Sequence, residues 1–254
     1  RTIKAREYPG MGITFARGKA FIGCLERGFG GSVVVVDLDT LEMEEVIPLK
    51  NPSSDSPGMI YAVTYAVATD EFIIVAVSLG DERTEMITFD LQTREVKGKI
   101  ELVFPNTIWH ILPVEPHLFY LVNNVGFLDR PYEEGGAPSY RDCLVFDARQ
   151  GKIVKEIDLP DLLYRGVKVG DTIYFLNVAQ AATNDWREGV TIYRIKDGSY
   201  RYIELPGHMR MQDIAYYKGA VYLAGKEGLY RLDLESEKLE VVLKAENATG
   251  VIFP

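Results

Sequence analysis

Apolar and polar residues follow one another along this chain in short bursts rather than in helical stripes, and the bursts come in sets of four. Runs rich in Val, Ile, Tyr and Phe, bounded by Gly, Asp and Asn, predict β-strands; no stretch sustains a helical period with a cap at both ends. The second run of each set is the clearest, at 19–23, 71–77, 117–122, 171–177 and 220–225. Third runs follow at 32–38, 85–91, 142–146, 190–195 and 228–234. They mix alternation with continuous apolar stretches, the pattern of sheets covered on both faces. Four of the fourth runs finish alike, as Ile47-Pro48-Leu49, Ile100-Glu101-Leu102, Ile157-Asp158-Leu159 and Ile203-Glu204-Leu205.

Between third and fourth runs one short signal recurs five times: Val36-Asp37-Leu38-Asp39-Thr40, Phe89-Asp90-Leu91-Gln92-Thr93, Phe146-Asp147-Ala148-Arg149-Gln150, Tyr193-Arg194-Ile195-Lys196-Asp197 and Leu232-Asp233-Leu234-Glu235-Ser236. Four copies carry Asp at the equivalent place and one carries Arg194; the intervals are 53, 57, 47 and 39 residues. A period of this size built from strands alone predicts a β-propeller whose blades are four-stranded antiparallel sheets. A carboxylate beside a tight turn can accept hydrogen bonds from the turn's N–H groups. The repeated aspartates are therefore read as structural.

The turns after the third strands, such as Gln150-Gly151 and Asp197-Gly198, are short, and so are Arg17-Gly18, Val169-Gly170 and Lys218-Gly219 after the first strands. In a propeller both turn classes lie on one face. The opposite face carries the second-to-third connections and the crossovers, and here these are long and uneven: 123–141, 179–188 and the Pro- and Ser-rich 50–58. Recognition tends to reside on long loops held by a rigid scaffold.

The repeat runs throughout, so residues 1–254 are read as a single propeller domain. Its ends look like parts of a blade, residues 1–9 resembling an outer strand and 248–254 an inner one. Five complete blades plus these strands favour a six-bladed ring over a five-bladed one. The same fragments raise the alternative of a subunit or segment of a larger assembly.

The run Val-Val-Val-Asp-Leu-Asp-Thr-Leu-Glu at 34–42 resembles the strand and turn of YVTN-type repeats, and 222–234 is similar. The resemblance is to the YVTN-type, quinoprotein-like propeller superfamily, and it implies a propeller fold in a secreted or cell-surface setting. The Gly-His and Trp-Asp signatures of WD40 blades are missing, and two tryptophans cannot supply one per blade as quinone-binding propellers require. The Gly-Gly pairs at 30–31 and 135–136 do not recur as in kelch repeats. Propellers include both enzymes and binders, so the fold leaves function open.

A net charge of −9 argues against a grip on nucleic acid. No apolar run approaches the ~20 residues of a membrane-spanning helix. Cys24 and Cys143 fall on distant strands and are expected as buried thiols. Asn and Gln number only 11, a scarcity that thermophilic proteins share.

Candidate chemistry is sparse. His110, Arg165, His208, Arg210 and Asp213 lie at entries to inner strands, where a channel mouth would gather them. There an Arg could hold an oxyanion and a His could move a proton, the basis for an alternative reading as a hydrolase or lyase. Three histidines in no ligand spacing predict no metal site, and no nucleophile or nucleotide motif is present, so no cofactor is expected. On the long connections Arg130, Tyr132, Trp186 and Arg187 combine aromatic and guanidinium groups, with Trp109 nearby on an inner strand. Such residues anchor protein interfaces. The favoured reading is a non-enzymatic scaffold that binds a protein or surface ligand through its long-loop face.

Overall fold

The computed structural model describes residues 8–26, 30–49, 62–80, 83–103, 108–123, 143–157, 159, 163–177, 188–206 and 209–245. Within them the chain forms twenty strands in five four-stranded sheets, each strand pairing antiparallel with its neighbour in sequence. The first sheet holds β1 (Tyr8–Ala16), β2 (Lys19–Glu26), β3 (Gly30–Asp37) and β4 (Met43–Leu49). The second holds β5 (Ala62–Ala68), β6 (Phe72–Gly80), β7 (Arg83–Asp90) and β8 (Val96–Val103). The third holds β9 (Ile108–Pro113), β10 (Leu118–Asn123), β11 (Cys143–Asp147) and β12 (Lys152–Ile157). The fourth holds β13 (Leu163–Val169), β14 (Thr172–Asn177), β15 (Gly189–Arg194) and β16 (Tyr200–Glu204). The fifth holds β17 (Asp213–Tyr217), β18 (Ala220–Gly225), β19 (Gly228–Leu232) and β20 (Leu239–Lys244). The terminal strands expected at 1–9 and 248–254 lie largely outside the described residues; β1 begins at Tyr8.

The chain divides into two compact units. In the first unit three sheets pack face to face. Phe21, Val33 and Val35 of the first sheet meet Ile73, Val75, Ile87 and Phe89 of the second. The second sheet's other face, Val67, Ile74 and Met86, packs on Ile111, Phe119, Leu121 and Phe146 of the third. A strand covered on both sides must be apolar at successive positions, which is why 73–77 read as one unbroken run. Each such side chain, fully buried, contributes roughly 1.5–3 kcal/mol. The second unit repeats this arrangement, with Leu176, Val190, Ile192 and Ile203 of the fourth sheet against Ile214, Val221 and Leu223 of the fifth. Fourth strands form one edge of each sheet and are largely solvent-exposed, as in β12 and β20, so charge interrupts their sequences.

The five third-to-fourth hairpins share a single frame. The N–H of the residue that opens each turn bonds to the carbonyl five positions on, as in Asp37 N–H to Glu42 O (3.0 Å), Asp90 to Glu95, Arg194 to Ser199 and Asp233 to Lys238. The residue four positions on is left-handed in every case: Leu41 (φ 58°), Arg94 (61°), Gly151 (63°), Gly198 (73°) and Glu237 (57°). Where the first residue is Asp, its Oδ1 accepts the next two free amides. Asp39 and Thr40 donate to Asp37, Gln92 and Thr93 to Asp90, Arg149 and Gln150 to Asp147, and Glu235 and Ser236 to Asp233, all at 2.7–3.1 Å. The recurring aspartate is thus turn chemistry, as the sequence pattern implies.

Two of the first-to-second turns, Arg17-Gly18 and Lys218-Gly219, carry consecutive positive φ values, as a type I′ turn requires. In the fourth sheet Val169 pairs with Thr172, so the turn is Gly170-Asp171, one residue later than expected. There β-branched Val169 completes the strand and Gly170 takes the left-handed position (φ 59°). Cys24 and Cys143 are both buried and form no disulfide. Among the described residues no helix is long and apolar enough to cross a membrane.

Candidate functional site

The long connection of the fourth sheet leaves β14 at Asn177 and rejoins the sheet at Gly189, and both of its ends are fixed by buried polar groups. Asn177 is 1% exposed, and its Oδ1 accepts both the backbone N–H and the hydroxyl of Thr191, each at 2.9 Å. Glu188 is 3% exposed; its Oε2 accepts the Met209 N–H at 2.8 Å and its carbonyl accepts the Leu205 N–H. A buried polar group without a partner costs about 1–3 kcal/mol, so these bonds hold the loop base in one geometry. The strand pairing Asn177↔Gly189 places the two anchors side by side. Gly189 suits the position because a Cβ there would meet the Tyr202 ring at 2.2 Å. Pattern reading passed over both anchors; a Glu immediately before a buried strand was the available signal.

At the same end of the second unit, Arg165 on β13 donates through Nη1 to Oδ1 of Asp213 on β17 at 3.0 Å. The guanidinium also lies 5.5 Å from the Tyr164 ring centroid. Both ionic side chains are mostly covered, and their opposite charges cancel. Arg210, left-handed at φ 48° and exposed, precedes buried Met211 on the way into β17. The Gln212 N–H bonds to the Ala224 carbonyl and the Lys226 N–H to that of Met209, which ties this entry to the fifth sheet.

In the first unit His110 on β9 shares a 2.8 Å hydrogen bond between its Nδ1 and the Tyr65 hydroxyl on β5. The two rings meet edge to face, 5.3 Å apart at 84°. This contact fixes the imidazole orientation and links two neighbouring sheets. Tyr65, 45 residues away in sequence, was not among the expected site residues.

Of the group expected at a channel mouth, Arg165 and Asp213 are therefore brought together, and His110 is paired with Tyr65. His208 lies outside the described residues, as do Arg130, Tyr132, Trp186 and Arg187. Trp109 sits on β9, and its side chain is outside the description. Among the described residues, no three His, Cys, Asp or Glu side chains converge on a point that could hold a metal.

No family model matches the chain, and no curated protein matches it. Its backbone is similar to solved structures. The computationally designed Ika8 protein superposes with a TM-score of 0.60 at 14% identity, over 95% of this chain and 64% of that one. The Dos1 propeller gives 0.64 at 11% identity, over 96% and 62%. BamB from Moraxella catarrhalis gives 0.56 at 11%, over 96% and 79%. The chain thus spans less than two thirds of the length of the Ika8 and Dos1 chains. At such identities the likeness establishes the fold alone: the chain is all-β, with the fold of a β-propeller.

Proposed function

We propose that the chain is one β-propeller domain of the YVTN type that binds a protein or surface ligand through the face bearing its long second-to-third connections. The reading rests above all on the buried Asn177 and Glu188 at the base of the 178–187 connection. Burying polar groups is costly, and the bonds to Asn177 Oδ1 and Glu188 Oε2 offset part of that cost where a long connection starts and ends, while Asn177 Nδ2 is buried without a hydrogen bond among the described residues. That connection carries Trp186 and Arg187, and 124–142 carries Arg130 and Tyr132, residue types that dominate interface energetics. The neutralised Arg165–Asp213 pair supports a scaffold role, since an ion pair committed to joining two sheets is poorly suited to acid–base work.

The test compares wild type with a Trp186→Ala/Tyr132→Ala variant in affinity capture, followed by calorimetric titration of the purified partner. The reading expects loss of the partner with an unchanged circular-dichroism melt. Equal affinity for both proteins overturns it.

A further inference from the structure

At its third-to-fourth hairpin the fourth sheet departs from the others in two ways, and the departures meet at one cavity. Arg194 stands where Asp37, Asp90, Asp147 and Asp233 stand elsewhere. The hairpin keeps its frame because Asp197 takes over the carboxylate role, accepting the Ser199 N–H at 2.9 Å and the Ser199 hydroxyl at 2.6 Å. Relieved of turn chemistry, position 194 is open to a side chain of another kind.

The cross-strand neighbour is short: Lys19 lies opposite Asp37, Phe72 opposite Asp90 and Leu118 opposite Asp147, whereas Thr172 lies opposite Arg194, much as the register Val221↔Leu232 sets Ala220 opposite Asp233. The second departure concerns register. In the other four sheets the third and fourth strands slip past each other by a bulge, at Val35/Val36, Thr88/Phe89, Val145/Phe146 and Leu229/Tyr230. β15 and β16 pair without interruption from Gly189↔Glu204 to Tyr193↔Tyr200. A bulge bends and twists its strand, so β16 runs straighter beside β15 than its counterparts do.

The result is a cavity of about 280 Å³ walled by Thr172, Tyr174, Ile192, Arg194, Ser199, Tyr200 and Arg201. Arg201 is already engaged, donating to the Glu237 carboxylate and through Nη2 to the Leu234 carbonyl at 3.1 Å. The Arg194 guanidinium has no hydrogen bond or ion pair among the described residues. Asp197, the nearest acid on its own hairpin, is occupied by Ser199. Glu237 is bonded to Arg201, and Asp197 lies near enough to Arg194 to feel its charge without bonding to it, so the Arg194 N–H groups are the ones in the wall left to fork onto an anion. Tyr174 and Ile192, which pair across β14 and β15 on the face that carries Arg194, form the apolar part of the lining, and Thr172 and Ser199 add hydroxyls.

We propose that this cavity binds a small planar organic carboxylate, its carboxylate forked onto Arg194 and its flat body against Tyr174 and Ile192. A planar guanidinium matches a carboxylate with two parallel N–H bonds. An inorganic anion would satisfy Arg194 but leave Tyr174 and Ile192 uncovered. The site is separate from the long-loop face and does not depend on the reading of that face.

The test is an NMR titration of the full chain with sodium benzoate, and a parallel one with sodium phosphate. Wild type is expected to saturate with benzoate at one site that includes the 194–201 hairpin. Arg194→Gln is expected to weaken binding by about tenfold or more. Thr172→Phe, which installs the residue of the equivalent position 72, is expected to fill the cavity and abolish binding. Arg194→Asp restores the residue of the other hairpins, so it is expected to lose binding while melting no lower than wild type. Benzoate shifts that do not saturate, equal affinity in wild type and Arg194→Gln, or saturable binding of phosphate alone would each overturn the proposal.

Discussion

Arg165 and Asp213 join the first strands of the fourth and fifth sheets through a 3.0 Å bond, with the aspartate side chain 16% and the arginine 30% exposed. Ion pairs on open surface contribute little, because water screens them and ordering two side chains costs entropy. A mostly covered pair is different: removing one partner leaves the other charge desolvated and uncompensated.

Asp213→Asn is therefore expected to lower unfolding free energy by about 1–2 kcal/mol, and Arg165→Gln by a similar amount. The double variant should lose less than the sum, with a coupling of about 1 kcal/mol. Urea unfolding of the four proteins measures this. Strict additivity would mean that the pair contributes nothing to holding the two sheets together.

Leu41 carries a different kind of cost. It occupies the left-handed position of the first hairpin at φ 58°, where the third and fourth hairpins use Gly151 and Gly198. Its side chain is 47% exposed, so little packing is lost with it. A left-handed Leu costs roughly 1–2 kcal/mol, offset in part by the extra chain entropy of Gly in the unfolded state. Leu41→Gly is expected to stabilise the protein by about 0.5–1 kcal/mol, read as a higher urea midpoint at unchanged slope. A lower midpoint would show that Leu41 makes contacts that outweigh its strain.

What could be read from the sequence was local in origin. The Asp–turn signal marked four of the five hairpins because a carboxylate and the two amides it accepts lie within three residues of each other. The runs at 71–77 and 171–177 marked second strands because burial on both faces leaves its trace at every position. Tyr65 beside His110, Glu188 beneath Met209 and the cavity at Arg194 could not be read this way, since each depends on which strands become neighbours. The fourth repeat is instructive on this point: Arg194 stood out as an exception to a pattern. Only the pairing with Thr172 and the unbulged β16 connect that exception to a cavity.

The turn aspartates make the fold acid-sensitive in a defined direction. Amides of Thr40, Thr93 and Ser236 hold the carboxyls of Asp37, Asp90 and Asp233 below the ordinary aspartate range, and the Ser199 hydroxyl and amide do so for Asp197. Burial pushes the other way at Asp147, but the Gln150 and Arg149 amides outweigh it and its carboxyl also lies low. A carboxyl that is more acidic folded than unfolded adds stability that is complete above its unfolded value, near pH 4, and is lost as pH falls through the folded one. Stability should therefore be flat near neutrality and decline steeply below about pH 4. Asp90→Asn isolates one such turn, because the Asn carbonyl can still accept the Gln92 and Thr93 amides but cannot ionise. Urea midpoints should show Asp90→Asn less stable than wild type at neutral pH and converging with it in acid. A deficit that stays the same at every pH would mean that the charge on Asp90 plays no part, and that the turn is held by geometry alone.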